Sequence, residues 1–354
     1  MKLKKKKYEN DQFYRIRREN KIIDYKNLIL NDPKYNFLKE NEHLGNNIIL
    51  LTVSGSISYG TNIESSDIDM RGITLERPNE LLGLDNFEQY ENKELDVTIY
   101  GLRKIIRLLL NCNPNCIELL ATNPEHIILM SEEGKLLRDN IDLFLTQKAS
   151  WSFGGYANQQ LRRLQNALAR DTYNQPEKER HILKSINLMH LKEHYDPFTN
   201  EEIKLYIDES DKEEYKTEIF MDINLKKYPL RDFKNIHSEM SNVVVEYGKL
   251  NKRNKKKDEL ALWKHGMHLI RLLTMAIEIL EGKPVTTYRP ERKFLLDIRN
   301  EKYTFDEIFE MVDKLETDFL YAKENSLLPL KPDYNKINEL VMEINRKAII
   351  NENM

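Results

Sequence analysis

Two cysteines in 354 residues exclude a disulfide scaffold. Cys112 and Cys116 also make a poor zinc motif, because no further cysteines or partnered histidines accompany them. They read as reduced, packed thiols. No run approaches the ~20 apolar residues of a membrane span. The start, Met1 to Lys7, is basic like a signal peptide, but no apolar stretch follows it, so a secretory signal is not expected there. Charge of one sign is missing too: 55 Lys and Arg face 58 Asp and Glu, for a net charge of −3. That total does not announce a nucleic-acid binder. With 32% charged residues and a mean hydropathy of −0.65, the expectation is a soluble cytoplasmic protein with room for two domains.

The charge is nevertheless unevenly spread. Five lysines fall within residues 2–7, followed by Arg15, Arg17 and Arg18, and Asn251 to Lys257 is a second basic run. Asp208 to Glu214 is acidic. Basic runs of this kind suit a phosphate backbone, and equally suit a tail and a solvated loop.

The strongest local pattern lies between residues 48 and 74. Ile48 to Val53 is an apolar, β-branched run fit for a buried strand. Small residues follow, Gly55-Ser56, where a backbone can approach a phosphate closely. A second strand-like run, Asp67 to Thr74, opens on Asp67-Ile68-Asp69. On a strand, positions i and i+2 share a face, so both carboxylates are expected to point the same way beside the small-residue turn. Carboxylates are hard oxygen ligands for Mg²⁺. Two metals roughly 3.5–4 Å apart hold both the attacking and the leaving oxygens of a phosphoryl transfer. A third carboxylate is then needed. Asp96, opening the run Asp96 to Tyr100, is the candidate, and Glu94 on the same face is its competitor. Asp-x-Asp alone is common, and the plain alternative is a pair of solvated turn residues.

These residues, Gly55-Ser56, Asp67-x-Asp69 and Asp96, resemble the signature of the DNA polymerase β nucleotidyltransferase superfamily. Further segments narrow the resemblance to its RNA repair pathway branch, of RlaP type. They are Asp96 to Lys104, Asn113 to Leu120, Ser152 to Arg163, Lys264 to Leu273, Arg289-Pro290, Ile298-Arg299 and Leu328 to Asp333. The likeness covers most of residues 48–335. An acidic, tyrosine-rich segment near 195–245 and the basic first eighteen residues stand outside it. The resemblance implies an α+β fold, with a small polymerase-β-like catalytic domain (a mixed sheet with flanking helices) followed by a larger helical domain. Composition divides the chain accordingly, into a polar lead-in at 1–45, a catalytic domain at 46–130 and a helical remainder at 131–354. Gly101 to Asn111 carries an apolar stripe at helical spacing, and Asn113-Pro114-Asn115 ends it.

The resemblance further implies two Mg²⁺ ions (Mn²⁺ as a substitute) held by Asp67, Asp69 and Asp96, and an NTP whose phosphates meet Gly55 and Ser56. It implies an RNA acceptor, and the lack of a long apolar run predicts no membrane partner. Lys264, His268 and Arg271 fall at i, i+4 and i+7 on one helical face. Spacing leaves them open between a solvated face and a grip on phosphates; the resemblance favours the triphosphate. Tyr156, Gln160 and Arg163 form a like stripe, open between base stacking and helix packing. His190-x-x-Glu193-His194 matches an inverted zinc-protease motif, but no third ligand is nominated. Two other functions share these features: nucleotidyl transfer to a protein or small-molecule hydroxyl, and a non-catalytic nucleotide- or RNA-binding module.

Overall fold

The computed structural model describes residues 24–172, 177, 202–212, 217–251 and 259–351. The N-terminal basic run, residues 252–257 of the second one and the His190–His194 motif lie outside the described residues. The chain divides into two compact units. One takes the described residues up to Gln159 together with those from Gly266 onward, and the other is Gln160–His265.

The first unit is built on a five-stranded mixed sheet of order β3-β4-β2-β1-β5. Its strands are β1 (Ile48–Ser54), β2 (Asp69–Thr74), β3 (Gln89–Asn92), β4 (Val97–Gly101) and β5 (Ile127–Met130). β2 and β4 run parallel, and the other neighbours are antiparallel. The apolar run is an interior strand, between β2 and β5, with every residue from Ile48 to Val53 buried. Full burial of each such aliphatic side chain contributes about 1.5–3 kcal/mol, so β1 anchors the unit. Ile29, Tyr35 and Leu38 of the lead-in join the same core as Val53, Met70 and Ile99.

The helices follow their predicted stripes. α1 (Leu102–Leu109) buries Leu102, Ile105, Ile106 and Leu109. Asn113-Pro114 then does double duty. Asn113 caps the next helix, α2 (Pro114–Leu120), by accepting from Cys116 N, and Pro114 takes its first turn. Cys112 and Cys116 are both buried and form no disulfide. Burial pushes the Cys116 thiol up to about 12, so alkylation of the native protein at neutral pH should be slow at this position and fast only in denaturant.

Beyond the sheet the fold is mainly helical, as expected, in α3 (Ala149–Thr172), α4 (Leu230–Asn251), α5 (Glu259–Leu280), α6 (Arg292–Arg299), α7 (Phe305–Asn325) and α8 (Tyr334–Asn351). One departure falls in the second unit. The acidic, tyrosine-rich segment contains an antiparallel hairpin, β6 (Ile203–Glu209) with β7 (Thr217–Ile223). Leu205, Ile207 and Ile219 pack against Val243 and Tyr247 of α4. The period-2 alternation of Ile203, Leu205 and Ile207 is there in the sequence, overlaid by charge.

Candidate active site

The turn after β1 shapes the site. β1 ends at Ser54, and Gly55 starts a five-residue helix, Gly55–Tyr59, at φ +62°. A side chain at Gly55 would be strained there, and it would also collide. A Cβ would sit 1.8 Å from Asp69 Oδ2 and 2.9 Å from its Cγ. The missing side chain is therefore what admits the Asp69 carboxylate. Ser56 is buried. Asp69 is the first residue of β2 and pairs with Ser54. Ser54, Gly55, Asp69, Arg71, Asn115 and Glu118 line one cleft of about 80 Å³.

Asp67 does not share a strand face with Asp69. β2 begins at Asp69 because its partner ends at Ser54, so Asp67 stays in the preceding loop. Asp96 likewise precedes β4 rather than opening it. The ladder pairs Met70 with Val97, and Met70 N donates to Asp96 O at 3.0 Å. That sets Asp69, at the start of β2, beside Asp96, in the turn just before β4. Asp96 has φ +49°, a conformation that aspartate tolerates better than most residues. Its carboxylate accepts from Arg71 Nη2 at 2.9 Å. Glu94 is exposed in the loop before it.

The three-cation stripe splits. Lys264 is exposed and belongs to the second unit, His268 is half-buried, and Arg271 is buried. Arg271 Nη1 donates to Glu118 Oε1 at 2.5 Å, and its guanidinium lies 3.7 Å from the centroid of the Tyr59 ring. The Tyr59 hydroxyl donates to Glu118 Oε2 at 2.5 Å. Burial above all raises the Tyr59 pKa, so the phenol stays protonated and a donor. Burial opposes the charge on Arg271, but the adjacent Glu118 carboxylate outweighs it and holds the pKa above its ordinary value. Arg271 thus reaches the cleft through Glu118, whose carboxylate lines it. In the second stripe, Gln160 is engaged by His265 Nδ1 at 2.8 Å.

Two more arginines hold the same turn. Arg289 is fully buried, forked onto Glu278 by two bonds of 2.7 Å, and its N–H donates to Tyr59 O at 3.2 Å. Arg299 Nη1 donates to Thr61 O at 2.6 Å. Between them, Gly60 sits at φ +71°, where a Cβ would lie 2.7 Å from the Tyr288 ring. In the sequence, Arg289 and Arg299 stand only as parts of the segments that carry the family resemblance, and no site role is assigned there to them, to Glu118 or to Arg71. A hint existed for Glu118, a lone charge in the otherwise apolar Cys116 to Leu120.

The donors fit a hard divalent cation in part. Asp69 brings a carboxylate into the cleft, made possible by Gly55, while Asp96 offers one that is 58% exposed but engaged by Arg71. Among the described residues, no three His, Cys, Asp or Glu side chains are gathered as a metal shell.

No curated protein and no solved structure matches the chain. The family model described as "RlaP: RNA repair pathway DNA polymerase beta family" matches residues 10–343, nearly the whole length. It spans both the strand-and-turn segment and the arginines that brace it, so the chain belongs to this family of polymerase-β-like nucleotidyltransferases of RNA repair.

Proposed function

We propose that the protein moves a nucleoside monophosphate from an NTP to a hydroxyl at an RNA end, releasing pyrophosphate. The observation that carries this reading is the Asp69 carboxylate packed over Gly55 at the mouth of a polar cleft. The family's description, an RNA repair pathway, supports the choice of RNA as acceptor. In the reaction a bond forms between the acceptor oxygen and the α-phosphorus. The bond from that phosphorus to the bridging oxygen breaks, and pyrophosphate departs with its electron pair. Gly55 and Ser56 present backbone and hydroxyl donors to the leaving phosphates. Asp67, Asp69 and Asp96 would hold Mg²⁺, with Mn²⁺ as a substitute. Bound there, the metal would neutralise phosphate charge and lower the pKa of the attacking hydroxyl. Asp96 takes the acceptor side and assists removal of the hydroxyl proton. Arg271 and Glu118 fix the cleft wall.

The test is incubation with each labelled NTP, Mg²⁺ and total RNA and protein. Label is expected in RNA, with stoichiometric pyrophosphate. Label in protein, or pyrophosphate release without any labelled polymer, would overturn the RNA reading.

Two variants refine the residue roles. Asp96→Asn should lower turnover more than triphosphate affinity, with Glu94→Gln near wild type, and the reverse pattern assigns the third carboxylate to Glu94. Gly55→Ala should lower kcat/KM at least tenfold by displacing Asp69. It also places a non-glycine residue in the left-handed region, at about 1–2 kcal/mol of stability. Wild-type kinetics in Gly55→Ala would remove the turn from the site.

A further inference from the structure

Arg71 lines the cleft, and the mechanism above gives it no part. It stands two residues after Asp69 on β2, so the two side chains leave the same face of the sheet. Both terminal nitrogens of its guanidinium bond at one corner. Nη2 donates to Asp96 Oδ1 at 2.9 Å, and Nη1 donates to the carbonyls of Asp96 and Met70 at 2.8 Å each. The same Asp96 carboxylate is the one assigned to a divalent cation. A guanidinium and a metal ion on one carboxylate repel each other, so occupation by either weakens the other.

The charge pair itself adds little to the hold that the two carbonyls have on Arg71. Arg71 is 23% exposed and Asp96 58%, and exposed ion pairs contribute little to stability. Once released, Arg71 carries five donors in a planar fork that matches phosphate oxygens. It would do so from the strand that already places Asp69 in the cleft. We propose that Arg71 is a triphosphate-binding residue held in reserve. In the nucleotide-free protein it neutralises Asp96. When an NTP enters, Arg71 transfers to phosphate oxygens and leaves Asp96 open to the cation. Nucleotide binding and completion of the metal site thereby become one event. The inference rests on the cleft being the NTP site with Asp96 as a metal ligand.

The test separates the two ideas. Mn²⁺ binding to the full chain without nucleotide is measured by electron paramagnetic resonance, and binding of a non-hydrolysable NTP analogue by calorimetry. Arg71→Ala should bind Mn²⁺ alone about threefold to tenfold more tightly, since a competing cation is gone, and should bind the analogue about tenfold more weakly. Arg71→Gln, which keeps the side chain's length and polarity, should show the same pair of shifts and covers the case in which the alanine variant misfolds. Unchanged or weaker Mn²⁺ affinity in these variants, with Asp69→Asn abolishing Mn²⁺ binding, overturns the reserve role and leaves the site standing. Mn²⁺ affinity untouched in both Asp69→Asn and Asp96→Asn overturns the site and the role of Arg71 together.

Discussion

Asp69→Asn should reduce nucleotidyl transfer by about 10²–10³-fold or more while leaving the fold intact. The amide keeps the shape of the side chain over Gly55, where the carboxylate now lies against the backbone, and Asn remains compatible with the first position of β2. What is lost is the negative charge that would hold the cation. Metal stabilisation of transition-state charge is worth several kcal/mol, and each 1.36 kcal/mol is tenfold in rate. Pyrophosphate release at saturating NTP is the measurement, with circular dichroism as the check on folding. Turnover within a fewfold of wild type would sink the assignment.

Glu118→Ala is expected to cost about 3–5 kcal/mol of stability, because removing one member of a buried ion pair strands its partner. Arg271 and Glu118 are only 5% and 7% exposed, and the Nε of Arg271 already lacks a hydrogen-bond partner. The alanine leaves a buried guanidinium and a buried phenol unsatisfied at once. A compensating set should recover most of the loss: Glu118→Met with Arg271→Met replaces the pair by apolar groups of similar volume. Adding Tyr59→Phe removes the stranded hydroxyl, itself worth about 1–3 kcal/mol when buried unpaired. With two compact units, a single unfolding free energy is ill-defined. Hydrogen exchange at β1 and α2 under rising urea reads the relevant unit. A loss below about 1 kcal/mol would show that the pair does not govern this wall.

How much of this was legible in sequence depended on range. β1 announced itself because Ile48 to Val53, five aliphatic residues and a threonine, needs burial on both faces. α1 did so because its stripe repeats at helical spacing. The start of β2 was expected two residues early, at Asp67, since strand length is set by the partner and not by the strand's own residues. The left-handed backbone of Asp96 is equally invisible, being fixed by where the β4 ladder begins. Glu118 and Arg271 lie 153 positions apart, and no local pattern pairs them. The stripe of Lys264, His268 and Arg271 shared one face by spacing, yet burial treats its members differently. The β6–β7 hairpin is hard to read in sequence because charged residues such as Lys204, Asp208, Glu218 and Asp222 alternate with its apolar positions.

The clasp of Arg299 on the Thr61 carbonyl spans 238 positions. During synthesis on the ribosome, the turn beside the site waits for that partner. At about 5–20 residues per second the wait is roughly 12–48 s. Over that interval β1 and β2 can already pair, but Tyr59 to Thr61 lacks both the Arg289 amide and the Arg299 side chain. A nascent chain halted before residue 289 would therefore hold its strands without a finished cleft, and the turn would close only once residues 289–299 had emerged.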